Sequence, residues 1–136
     1  MSFSSAIGKL WASPITLVGL LVGLLAWPLG ARPTRGHNAI QFLCFPFGSG
    51  ALTLGNVVLY ARCEPHECAC LYGSKDVLQF GLHEQAHTHQ YERLGVFFLP
   101  LYFCVGGIAA RNPLEQAANT FARGGHFWPA GWWWLR

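Results

Sequence analysis

The sequence predicts a mainly α-helical, membrane-associated chain with a small β-hairpin: an N-terminal transmembrane helix followed by a minimal helical core. Three observations predict it. Residues 14–31 run for eighteen positions without a charge, close to the lower limit for a helix that crosses a bilayer. Residues 81–94, GLHEQAHTHQYERL, read as a polar helix, and Asn112-Pro113 opens another, with Asn112 as N-cap and Pro113 at the first helical position. The composition is 52% hydrophobic and only 11% charged, against about 25% charged in ordinary soluble domains.

With 136 residues the chain is one domain's worth, and a catalytic unit would have to be minimal. We divide it into residues 1–36, a membrane anchor or signal-like segment, and residues 37–136, the functional domain with its apolar helix and aromatic tail. Lys9 precedes the apolar run, and Arg32 and Arg35 follow it. A secretory signal fits the same pattern, with Leu29-Gly30-Ala31 as the cleavage site and Pro28 as terminator. An uncleaved anchor is the preferred expectation, and the excess of cations after the span favours a cytoplasmic domain.

Between residues 39 and 60, Gly48 to Gly50 reads as a turn joining two extended segments into a hairpin, with Val57 to Tyr60 the better strand. The hairpin either aligns a peptide by backbone pairing or simply covers the helices. Cys63, His66, Cys68 and Cys70 follow within eight residues. A zinc knot is conceivable, but C-x4-C-x-C is not a familiar spacing, and a surface loop or a disulfide are the alternatives. Ser74 or Asp76 is expected to cap the next helix.

That helix carries the chemistry. His83-Glu84-Gln85-Ala86-His87 is H-E-x-x-H, and at about 100° per residue His83 and His87 project from one face, a turn apart. Two neutral imidazoles so placed can reach one Zn²⁺, with Glu84 beside it as general base. A third ligand must come from elsewhere. The chain has six acidic residues, and only Glu92 and Glu115 follow the motif. Glu92 lies too near along the same helix, so Glu115, in the first turn of the capped downstream helix, is the candidate. Gln90, three residues beyond His87, falls near the ligand face, where its amide could hold a ligand or substrate. Tyr91 could serve an oxyanion or simply pack, and His89 falls on another face. A His-rich helix face that is merely solvated is the plainer alternative.

These residues resemble the zincin metallopeptidases whose third ligand is a Glu. They also resemble a group of short bacterial membrane-associated proteins that read roughly G-x-x-x-L-G-x-V, then H-E-x-x-H-x-x-Q-Y-E-x-x-G, then N-P-x-E. Here those elements are residues 50–57, 83–95 and 112–115. The resemblance implies a zincin-like domain, a zinc cofactor held by His83, His87 and Glu115, Glu84 as base, and a location in a bacterial inner membrane. It also implies a His or Tyr that steadies the transition state, which no motif here identifies.

Residues 95–110 are sixteen uncharged positions broken by Pro100 and by Gly106-Gly107, which suits a kinked or re-entrant helix behind the site. The aromatic tail, residues 126–136, suits a lipid–water boundary. His126 has no surroundings that argue for a ligand role. A net charge of +3 without a basic run gives no footing for nucleic-acid binding. The expected partners are therefore membrane lipid and a peptide or protein substrate. The expected activity is a zinc-dependent metallohydrolase, most readily a peptidase. The alternatives are a non-catalytic membrane protein with a structural metal or hydrogen-bond site, and a small partner-binding membrane subunit.

Overall fold

The computed structural model describes residues 3–64, 67–68 and 78–132. About half of the chain is helical. The N-terminal helix α1 spans Phe3–Ala26 and ends in a short 3-10 turn over Trp27–Leu29. By length and composition it is apolar enough to cross a membrane. One of its faces, however, is built of small residues and packs on the rest of the chain. Ala12, Gly19, Gly23 and Ala26 are buried, and a Cβ at Gly23 would overlap the Phe42 ring.

Instead of a lone hairpin, the structure has a four-stranded mixed sheet. Its strands are β1 (Arg32–Gly36), β2 (Ala39–Leu43), β3 (Ala51–Leu54) and β4 (Val57–Tyr60), in the order β1-β2-β4-β3. The expected turn at residues 48–50 does not pair its flanking segments antiparallel. β2 and β4 run parallel, with Ile40 beside Val57, and β3 turns back along the outer edge of β4. The reversals fall elsewhere. His37 and Asn38 both take positive φ, 48° and 62°, as a two-residue type I′ hairpin requires. Gly55, with φ of 64°, opens the β3–β4 turn, where a residue with a Cβ would be strained. A disulfide joins Cys44 to Cys63, clamping the ends of the parallel pair. Cys63 is thus not part of a zinc knot; His66, Cys70 and the Cys68 side chain lie outside the described residues.

Strand alternation sorts the sheet into two faces. Phe42, Leu54, Val57 and Leu59 form an apolar cluster with Ala26 and Ala31, joined by Ile15, Leu20 and Val22 of α1. The opposite face carries Thr53, Val58 and Tyr60 toward the motif helix α2, Phe80–Leu94. Burying Phe42, Leu59 and the Tyr60 ring stabilises the fold by about 1.5–3 kcal/mol each. A two-residue strand pair, β5 (Glu67–Cys68) with β6 (Leu78–Gln79), leads into α2. Gln79 is the N-cap and makes no side-chain cap bond, so neither Ser74 nor Asp76, both outside the described residues, holds that position.

Residues 95–110 do not form one kinked helix. They give a 3-10 turn (Gly95–Phe97), the short helix α3 (Phe98–Cys104) and a loop. Helix α4, Pro113–Ala122, starts as expected: Asn112 Oδ1 accepts from the Leu114 amide at 2.9 Å. Asn112 Nδ2 also donates to the Tyr102 and Gly107 carbonyls, tying α3 to the start of α4. The aromatic tail does not simply face outward. Trp128 is buried, Arg93 lies over the Phe127 and Trp128 rings, and residues 133–136 lie outside the described residues.

Glu92 serves the fold. Its Oε1 accepts from Asn38 Nδ2 and Asn56 Nδ2, each at 2.8 Å, so one carboxylate on α2 holds both β-turns. Burial would raise its pKa, but the bonds from His89, Asn38 and Asn56 outweigh that and lower it.

Candidate metal centre

Helix α2 sets His83 and His87 one turn apart, both buried. Each ring has its Nδ1 committed. His83 Nδ1 lies 2.9 Å from Asn119 Oδ1, and His87 Nδ1 lies 2.9 Å from Gln90 Oε1. An amide oxygen only accepts, so in both rings the hydrogen sits on Nδ1. The Gln90 amide has no freedom to flip, because its Nε2 donates to the Leu114 and Phe127 carbonyls at 3.0 and 2.8 Å. Each neutral imidazole therefore turns its Nε2 lone pair toward the same point.

Glu115 arrives at that point from α4. His83 Nε2 and His87 Nε2 are 3.2 Å apart, and Glu115 places Oε2 3.2 Å from the first and Oε1 3.4 Å from the second. A tetrahedral site with bonds of about 2.0–2.1 Å has edges of roughly 3.3–3.4 Å. The His83–His87 and His83–Oε2 separations match such edges, the His87 contact is to the other carboxylate oxygen, and one ligand atom from each of the three residues lies within 4.8 Å of the others. Glu115 Oε2 is buried and accepts no hydrogen bond among the described residues, as suits an oxygen reserved for a cation. His83, His87 and Glu115 could together hold a metal ion.

The three side chains also shift one another's protonation. Burial would lower the pKa of His87, but the Glu115 carboxylate, with Glu84 and Gln90 adding to it, raises it to about 9. Burial would raise that of Glu115, yet His83, His87 and Tyr102 hold it well below the usual carboxylate range.

Glu84 follows His83 by one residue, about 100° round the helix, and so faces the sheet. Its Oε2 accepts from Thr53 Oγ1 at 2.5 Å. The carboxylate lines a cavity of about 360 Å³ together with His83, His87 and Glu115. Residues 49–53 at the edge of the sheet form one wall of this cavity, and Leu99, Tyr102 and Phe103 of α3 form another.

Four residues acquire roles that the motif alone does not announce. Thr53 holds Glu84. Asn119, one turn after Glu115, orients His83. Tyr102 donates to Glu115 Oε1 at 2.5 Å. Gln90, expected near the ligand face, orients His87. Asn119 and Gln90 carry sequence signals, an i, i+4 spacing from Glu115 and an i, i+3 spacing from His87; Tyr102 sits in an apolar run that says nothing of its hydroxyl. Tyr91 is wholly buried and lines the cavity. Its hydroxyl has no hydrogen-bond partner among the described residues, and burial, with the charge of Glu84, pushes its pKa up. His89 lies apart, half-buried against Phe121 and Phe127 and 3.3 Å from Glu92. His126 is exposed and takes no part.

No protein-family model, no curated protein and no solved structure matches the chain.

Proposed function

We propose that this chain is a membrane-associated, zinc-dependent metallohydrolase, and within that class a peptidase. The observation that carries the reading is the convergence of His83, His87 and Glu115 at a cavity that Glu84 also lines. Two imidazoles and one carboxylate are a donor set of the kind that suits zinc with a position left open. When bound, the ion supplies a Lewis acid and lowers the pKa of water. Glu84, steadied by Thr53, accepts a proton from the water that attacks the scissile carbonyl and returns it to the leaving amine. Tyr91, which lines the cavity and whose hydroxyl is without a partner among the described residues, is the candidate donor to the developing oxyanion.

An extended peptide finds backbone partners on β3. The segment at Val57 to Tyr60 is interior to the sheet, whereas β3 is its edge strand and borders the cavity. The Cys44–Cys63 disulfide favours a domain on the oxidising side of a bacterial inner membrane, contrary to the cytoplasmic side that counting Arg32 and Arg35 suggests.

The experiment is substitution of Glu84 by Gln, read by zinc content and by turnover of a peptide library in detergent. Retained zinc with turnover abolished supports the reading, and full activity would falsify it. A wild-type protein that holds zinc but turns over no member of the library would favour the second reading, a closed structural site. That reading draws on the satisfied His87–Gln90 and Tyr102–Glu115 bonds.

A further inference from the structure

Helix α1 combines two faces that a simple membrane span does not need together. Large apolar residues recur at three- and four-residue intervals from Ile7 to Leu25, and Leu10, Leu17, Val18, Leu21, Leu24 and Leu25 are all at least half exposed. The reverse face is covered by protein from Gly8, which meets Glu92, to Gly23, which meets Phe42. Against it lie polar groups: Thr16 Oγ1 accepts from the Asn56 amide at 3.0 Å, beside the Asn38–Asn56–Glu92 network. A helix crossing the bilayer in this structure would draw that network and the edge strand β1, with exposed Arg32 and Arg35, into hydrocarbon. Unpaired strand edges and charges there are strongly disfavoured.

The exposed charge of the described residues is mainly positive, and Arg32 and Arg35 follow α1. Among the described residues, Arg32, Arg35, Arg62, Arg93, Arg111 and Arg123 are exposed, against the single exposed carboxylate of Glu64. An anionic bilayer attracts such a surface.

The apolar stripe also continues toward the cavity. Trp11 on α1 meets Phe97 with ring centroids 6.2 Å apart, both exposed, and Phe97 leads directly into α3, one cavity wall. The other wall, β3, carries Leu52 on the α1-facing side of the sheet. Leu52, Phe103 and Ile108 line the cavity and are 50%, 62% and 72% exposed, and the exposed Arg62, also in its lining, suits the headgroup level.

We infer that α1 lies along an anionic bilayer with only its outer stripe immersed, and that the cavity opens into the same apolar layer through Leu52, Phe103 and Ile108. The substrate is then an apolar segment of a membrane-held polypeptide, entering sideways from the lipid. This last step rests on the peptidase reading above; the seating in the membrane does not.

The test uses the full chain with Cys68, Cys70 and Cys104 replaced by serine and single nitroxide labels at exposed positions: Leu10→Cys, Leu17→Cys, Leu24→Cys, Ile108→Cys and, on α4, Gln116→Cys. Collision rates with oxygen and with a water-soluble nickel chelate are read in phosphatidylcholine vesicles containing phosphatidylglycerol. The inference expects one common depth at positions 10, 17 and 24, an oxygen-favoured label at 108, and a nickel-favoured label at 116. A profile deepest at 17 and shallow at both ends would mean a spanning helix and overturn it. So would nickel-favoured labels along the stripe or at 108. Because no turnover is read, these failures are distinct from a failure of the hydrolase reading.

Discussion

Tyr102 and Glu115 come from different elements, α3 and α4, and meet through a hydroxyl-to-carboxylate bond of 2.5 Å. Asn112 makes the meeting possible, since it caps α4 while donating to the Tyr102 carbonyl. The bond leaves Glu115 with one orientation of its carboxylate, with Oε1 toward His87 and Oε2 toward His83. Partners of this kind commonly contribute about 10–100-fold to metal affinity or activity. Tyr102→Phe, which preserves the ring against Phe98 and His87, is therefore expected to weaken zinc binding by roughly tenfold or more. Competition with a chromophoric chelator measures it, and unchanged affinity would remove Tyr102 from the site's support.

The two imidazole supports differ in what they hold. Asn119 is half-buried and bonds His83, so Asn119→Ala should reduce zinc affinity by about tenfold with little change in Tm. Gln90 is wholly buried and, besides orienting His87, satisfies two carbonyls. Gln90→Leu should lose affinity and also about 1–3 kcal/mol of stability, because buried acceptors are left without donors. Thermal melts of the two variants with excess chelator separate these effects; equal destabilisation by both would contradict the assignment.

Protonation of the zinc-free site makes a signed prediction. His87 titrates at about 9 in the fold against 6.5 for the free side chain. Its contribution is fully present below 6.5 and is lost as pH rises toward 9. Glu115 moves the other way, so its contribution is present above the ordinary carboxylate value of 4.5 and is lost as pH falls below it. The chelated protein should therefore lose Tm between pH 6.5 and 9. Added zinc should stabilise it increasingly over that window, because fewer protons must be displaced. A zinc-induced rise in Tm that shrinks with pH would be the wrong sign.

Much of this site was legible from residue spacing, and the reasons are local. A four-residue interval places His83 and His87 on one face whatever the tertiary fold, and Asn112-Pro113 starts a helix by its own backbone preferences. Glu115 was then reachable by elimination. The sheet was less legible. Gly48 to Gly50 has turn composition, yet the reversals fall at His37-Asn38 and Gly55-Asn56, where partners on α2 decide the outcome. His37-Asn38 lacks the glycine usual in such a turn, and the turn is held by Asn38 bonding Thr88 and Glu92. Tyr102 and Thr53 were invisible because their roles depend on contacts between distant elements.

Glu92, within the same motif stretch, is expected to behave as a structural group. Glu92→Ala leaves Asn38 Nδ2 and Asn56 Nδ2 without their carboxylate, and a loss on the order of 2 kcal/mol follows. Its lowered pKa means that this contribution is present above 4.5 and is lost as pH falls below that value. Urea titration at neutral pH checks the magnitude. Zinc stoichiometry in the folded variant should be unaltered, and a metal-free variant would place Glu92 at the site after all.

The central claim is that two imidazoles from α2 and one carboxylate from α4 share a single ion. Elemental analysis of the purified protein, alongside His83→Ala and Glu115→Ala variants, tests it most directly. The account predicts one zinc per wild-type chain and a loss of zinc in each variant. Wild-type protein that stays metal-free after equilibration with zinc, or a Glu115→Ala chain that binds zinc as tightly as the wild type, would contradict it.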